Sequence, residues 1–314
     1  MILRITLFYI ILCSSCSSTE NQSNNFEYQN NDSELIVNNS LEIMEPKKSF
    51  SNYIFEIPSA SFFLDKKLTE VSSLAYDKED HSFITNNDES GTIFTLRPES
   101  FKIKRKEKFA KKGDYEAIEK VGNTIILCES SGKLYFYDRV SKKTTTYKTE
   151  LGIKNNVEGL CYEKESHSLL LACKAKPLDD DKDTKCVYQF DLTQKELITQ
   201  PFLSISQNEL KSLVKSTFAD LSKSKLKDLK NRAAEFSPSG IAIHPKTGEY
   251  FLTSAKGSSL LILTKTKILK EIIFLDKKAM PQPEGLCFDK NNNLYISTEG
   301  QGSPGKILKF NSND

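Results

Sequence analysis

Three glutamates and two serines recur at one position of a repeated phrase, and oxygen ligands of that kind suit a hard divalent cation. The phrase is clearest at Asn156-Val157-Glu158-Gly159-Leu160-Cys161-Tyr162-Glu163 and at Gln282-Pro283-Glu284-Gly285-Leu286-Cys287-Phe288-Asp289. Weaker copies stand at Glu70-Val71-Ser72-Ser73-Leu74-Ala75-Tyr76-Asp77, Asp114-Tyr115-Glu116-Ala117-Ile118-Glu119-Lys120-Val121 and Ser237-Pro238-Ser239-Gly240-Ile241-Ala242-Ile243-His244. Ser72, Glu116, Glu158, Ser239 and Glu284 thus share a column, spaced by 44, 42, 81 and 45 residues. If each copy opens the innermost strand of a propeller blade, the column converges at one mouth of the central channel. Three carboxylates brought together there repel unless they keep protons or meet a positive charge. Ca²⁺ accepts six to eight oxygens in irregular geometry and is the cation expected. The alternative is structural, with the glutamates bonding backbone N–H groups of neighbouring inner strands.

The elements that must position this column are legible behind each phrase as three apolar runs separated by polar turns. In the third copy, Gly159 to Tyr162 is followed by a turn at residues 164–167, a run from Leu169 to Cys173 and, beyond an acidic loop, Val187-Tyr188-Gln189-Phe190-Asp191. Short runs at even spacing, with a period of ~40–50 residues, predict an all-β five-bladed propeller, six blades being the runner-up. Only four residues follow Phe310, so residues 53–57 are expected to supply the last blade's missing strand and close the ring. The 81-residue interval holds a helical insertion at about residues 206–235. It starts with the capping box of Ser206 and Glu209 and carries Leu210, Leu213, Phe218, Leu221, Leu226 and Leu229 at mostly helical spacing. Either a lid or docking element or an elaborated surface loop fits this insertion.

Turns after each second strand return to the column's mouth. They place Asp88, Glu89, Glu129 and Glu299 there on three blades, and Lys174 and Lys256 on the other two, giving a mixed but mainly acidic, ligand-facing rim. The loop Asp179-Asp180-Asp181-Lys182-Asp183 lacks EF-hand spacing and reads as a solvated hairpin tip.

The 44 basic and 42 acidic side chains leave a net charge of +2, no field that would recruit nucleic acid. A monomer is expected. Residues 1–15 have the layout of a signal peptide, and Leu12-Cys13-Ser14-Ser15-Cys16 resembles a bacterial lipoprotein signal with Cys16 as the lipidated residue. Cys13 departs from that pattern, where an aliphatic residue is usual. Residues 16–49, rich in Ser, Asn and Glu, read as a disordered tether ahead of a propeller at 50–314. The expected location is the bacterial cell envelope, with the chain exported and lipid-anchored to a membrane, the outer membrane being favoured. The five later cysteines read as buried small hydrophobes; Cys173 and Cys186 are the one pair that a hairpin could bring face to face, and their disulfide state is left open.

The repeated phrase, together with Phe236-Ser237-Pro238-Ser239-Gly240-Ile241-Ala242-Ile243-His244-Pro245-Lys246-Thr247-Gly248, resembles the SdiA-regulated family of bacterial envelope proteins over residues 54–310. The resemblance implies a five-bladed propeller similar to NHL-repeat propellers, an amino-terminal anchor and a calcium ion held by the repeats, with no established reaction. Two functions remain open: a module binding an unknown small ligand or envelope protein, or a calcium-dependent hydrolase of the lactonase or esterase kind. His81, His167 and His244 all fall in turns between first and second strands, on the face away from the column, so no catalytic residue is assigned. Gly-rich phosphate loops, nucleophile elbows and zinc spacings are missing from the sequence.

Overall fold

The computed structural model describes residues 52–313; the signal segment, Cys16 and the tether at 16–49 lie outside the described residues. Twenty strands pair antiparallel into five four-stranded sheets. Blade one holds β2 (Ala75–Asp77), β3 (Ser82–Thr85), β4 (Thr92–Leu96) and β5 (Ile103–Lys108). Blade two holds β6 (Tyr115–Val121), β7 (Thr124–Glu129), β8 (Leu134–Asp138) and β9 (Lys143–Tyr147). Blade three holds β10 (Val157–Glu163), β11 (Ser168–Cys173), β12 (Thr184–Asp191) and β13 (Glu196–Ser206), and blade four β14 (Pro238–Ile243), β15 (Tyr250–Ser254), β16 (Ser259–Leu263) and β17 (Leu269–Phe274). Blade five takes β18 (Pro283–Phe288), β19 (Leu294–Thr298) and β20 (Lys306–Phe310) from the end of the chain and β1 (Ala60–Phe63) from its beginning. The protein is a five-bladed β-propeller, as the repeat predicts.

The ring closes with a different strand from the one expected. Ala60–Phe63 pairs with β20, from Ala60 opposite Lys309 to Phe63 opposite Lys306, whereas residues 53–57 form no strand. The alternation there comes from aromatic anchoring. Tyr53 and Phe55 are buried, packing against Phe251, Phe288 and Phe310, while Ile54 and Ile57 are 60% and 75% exposed. Pro58, with no N–H to give a ladder, separates this strap from β1.

Five apolar clusters lie one at each blade interface. Blades one and two meet through Ile84, Ile93 and Tyr115. Blades two and three meet through Ile126, Leu169 and Tyr188, and blades three and four through Leu170, Val187 and Leu252. Phe251 and Phe288 join blades four and five, and Phe83 and Tyr295 join blades five and one. Sheets packed this closely explain the small residue after each column position. A Cβ on Gly285 would lie 2.2 Å from the backbone nitrogen of Leu74, and one on Gly240 2.4 Å from the carbonyl oxygen of Glu284. The inner strand of the next blade occupies that space.

The insertion is a helical hairpin, α1 (Gln207–Thr217) and α2 (Lys223–Ala234). Ser206 and Glu209 form the expected capping box, and Ser222 caps α2. Leu210, Val214 and Ala233 sink into the cluster between blades three and four, and the Arg232 guanidinium donates to the carbonyl oxygens of Gly257, Ser258 and Leu275. α1 packs on β13 and β17, the outer strands of those blades. This anchoring suits a fixed buttress.

Candidate functional site: an acidic mouth around one lysine

The inner strands β6, β10 and β18 carry Glu116, Glu158 and Glu284 as their second residues, and Lys174 directly follows Cys173, the end of blade three's second strand. The Lys174 Nζ lies 2.7 Å from Glu158 Oε2, and the Asn156 amide donates to Glu158 Oε1 at 2.7 Å. Glu158 and Glu284 are only 5% and 6% exposed. Burial works against the Lys174 ammonium, yet Glu158, Glu284 and Glu116 together hold its pKa above the ordinary lysine value. One ammonium therefore faces three carboxyl groups from three blades.

The carboxyl groups show the excess negative charge. Burial, then Glu158 and Asp114, push Glu116 up to about 8. Burial and the charges of Glu158, Glu299 and Glu116 raise Glu284 well above the carboxylate range, Lys174 opposing. Burial also raises Glu158, despite its bond to Lys174. Around this ring, burial raises Asp88, with help from Glu70, and raises Glu299, with help from Asp88. Seven acids, Glu70, Asp88, Asp114, Glu116, Glu158, Glu284 and Glu299, thus share a mouth with Lys174.

Other members of the expected set are placed differently. Ser239 is fully buried; its hydroxyl donates to the Pro283 carbonyl at 2.6 Å and accepts from the Ala255 N–H, tying blade four to blade five. The Ser72 hydroxyl lies 3.4 Å from the Glu70 carbonyl. Glu129 accepts from the hydroxyls of Tyr135 and Ser131 within its own blade. Glu89 is exposed beside Lys112, and Lys256 acts on Lys185. In the acidic loop, Asp180 pairs with Lys154.

Glu70 and Asp114 were not singled out by sequence, although both stand two residues before the column. That second column reads Glu70, Asp114, Asn156, Ser237 and Gln282. Asn156 holds the column glutamate two residues on, Glu158, whereas Gln282 donates to Glu299 on the turn after β19 at 2.6 Å. The period alone would have revealed it.

For a metal, the donor chemistry fits in part. Three carboxyl groups whose protons are held by mutual repulsion and burial would accept a hard cation in exchange. The serine hydroxyls are engaged with backbone, Lys174 already sits on Glu158, and among the described residues no three carboxylate, imidazole or thiol side chains stand close enough together to hold an ion. All five described cysteines are buried free thiols.

Fold and site define a five-bladed β-propeller with one acidic channel mouth. The profile of the SdiA-regulated family matches residues 49–302, and the chain belongs to that family. No curated protein matches it significantly. Among solved structures, glutaminyl cyclase from Myxococcus xanthus is 11% identical with a TM-score of 0.53, covering 82% of this chain and 97% of its own, a likeness of fold. Virginiamycin B lyase from Staphylococcus aureus is 13% identical with a TM-score of 0.44, over 80% of this chain and 69% of its own. The Cps50 (Swd1) β-propeller domain of Myceliophteria thermophila is 12% identical with a TM-score of 0.40, over 76% and 65%.

Proposed function

We propose that this protein is a non-catalytic binding module of the bacterial cell envelope, held to a membrane through lipid on Cys16, that presents a calcium-loaded propeller mouth to a small ligand or protein partner. The observation that carries the reading is the buried Lys174–Glu158 ion pair at a mouth where Glu284 and Glu116 add further negative charge. One positive charge leaves that ring under-neutralised. Ca²⁺ would be held by Glu158 in exchange for Lys174, with Glu116 and Glu284 having to draw inward and give up their protons to complete the site; when bound it supplies a fixed positive charge that hydroxyl or carboxylate groups of a partner can approach. Ser239 serves this site as a tie from blade four to blade five, while the Ser72 hydroxyl turns back to the Glu70 carbonyl of its own segment.

The hydrolase alternative gains no supporting observation. His81 and His167 sit against the hydroxyls of Tyr76 and Tyr162, and His244 Nε2 lies 2.9 Å from the Tyr53 hydroxyl.

Two measurements test the reading. Cys16→Ala should move the full chain from the membrane to the soluble fraction, and retention in the membrane counts against lipidation. Calcium at 100 to 1,000 times its dissociation constant should stabilise the fold by about 3–4 kcal/mol, and a chelator should remove that gain. An unchanged melting curve together with no calcium on elemental analysis overturns the metal.

A further inference from the structure

The opposite mouth of the channel is built differently. Three residues after the glutamate column the inner strands carry Ala75, Glu119, Cys161, Ala242 and Cys287, so one carboxyl group stands at a level of methyls and thiols. These residues line a cavity of about 540 Å³, within the usual range for a small-molecule site. Its floor is apolar, made by Leu74, Leu160, Ile241 and Leu286, which also line the narrow channel beneath.

Glu119 is fixed in place. One of its oxygens accepts the Lys120 N–H at 2.7 Å, the other accepts the Tyr162 N–H at 3.0 Å, and the second bond crosses from blade two to blade three. A carboxylate offers about four acceptor positions, so these two bonds orient the group and leave room for more. The nearby ammonium of Lys120 is committed elsewhere, 3.1 Å from Asp77 and in contact with Glu79. Burial raises the Glu119 pKa, against the two N–H bonds it accepts and the charges of Lys78 and Lys120; above the apolar floor the wall carries both signs, Lys78 and Lys164 beside Glu79, Glu163 and Glu165. Tyr76 and Tyr162, backed by His81 and His167, stand at the rim.

We propose that this cavity binds a small amphipathic amine, its apolar body on the leucine and isoleucine floor and its ammonium on the Glu119 carboxylate. A cation there relieves the desolvation of Glu119, and a hydrocarbon body buries the floor; an anion would meet Glu119 with like charge. The site is separate from the calcium reading, because no residue of the glutamate column enters it.

Isothermal titration of the full chain with phenethylammonium, and with 2-phenylethanol and 3-phenylpropionate as neutral and anionic counterparts, tests the assignment. The expected result is saturable one-to-one binding of phenethylammonium, at least tenfold tighter than either counterpart and unaffected by saturating calcium. Glu119→Gln should weaken the amine at least tenfold and leave 2-phenylethanol unchanged. Absence of saturable amine binding, equal affinity for the three probes, or displacement of the amine by calcium overturns the proposal. The three-probe and calcium comparisons use the unaltered chain, so they decide the matter even if the variant does not fold.

Discussion

Lys174 and Glu158 form an ion pair of 2.7 Å at the channel mouth, with the carboxylate almost fully buried and the lysine side chain 24% exposed. The pair joins the end of β11 to the start of β10, and its lysine is shared electrostatically with Glu116 and Glu284. Lys174→Met should therefore have two effects of opposite sign. The metal-free protein should lose ~2–3 kcal/mol, less than a fully buried pair because Lys174 reaches solvent. Calcium affinity should rise, because the competing cation is gone. Denaturant unfolding with and without calcium reads both.

The ring also makes stability depend on pH. The folded-state pKa of Glu116, about 8, lies above its ordinary 4.5, so between those values the folded chain binds more protons than the unfolded one. Metal-free stability should fall as pH rises through that window and level off above it. Calcium affinity should rise over the same range, since binding displaces the protons. Glu116→Gln should flatten the slope; a slope unchanged by this substitution would count against the assignment.

A second buried charge network gives the opposite limb. Arg139 Nη1 lies 2.7 Å from Asp77, and its Nε 3.1 Å from Glu107, tying blade one to blade two; Lys120 and Lys142 complete the set. Burial opposes ionisation of both acids. It is outweighed for Asp77 by the Asp80 N–H, Lys120 and Arg139, and for Glu107 by Lys142, Arg139 and Arg105, so both pKa values are lowered. The stability they contribute is present above their ordinary pKa and is lost as pH falls through the depressed folded values. Arg139→Ala should cost ~3–5 kcal/mol at neutral pH and remove most of the acid dependence.

Blade packing is testable at the column's neighbour. Gly285→Ala places a methyl 2.2 Å from the Leu74 nitrogen, where backbone must yield, and should destabilise the ring by ~2–3 kcal/mol. Gly152→Ala, with open space around its Cβ, should change the melting temperature little.

Much of this was written in the chain. The period exposed five blades because each must bury the same two faces, and the small residue beside each column position recorded the approach of the next blade. The helical insertion was legible because Ser206 and Glu209 form a local cap that needs no tertiary contact. The closing strand was misplaced because Tyr53 and Phe55 alternate for a tertiary reason, their burial against Phe251, Phe288 and Phe310. At the mouth, sequence supplied the three glutamates and put Lys174 on the rim. It could not show that the lysine reaches inward to Glu158, since that depends on rotamer and strand register. Nor could it separate Ser239, turned to the Pro283 carbonyl, from a ligand-facing hydroxyl.

Calcium titration into the chelator-treated full chain by calorimetry addresses the glutamate ring directly. Wild type should bind one ion with proton release that grows as pH is lowered from 8 toward 6. Glu158→Gln should weaken that binding at least tenfold while keeping the β-sheet circular dichroism, and Glu196→Gln, on the outer strand β13, should leave it unchanged. Absence of binding in a chain shown to be metal-free, or equal affinity in wild type and Glu158→Gln, would contradict a calcium site at this mouth.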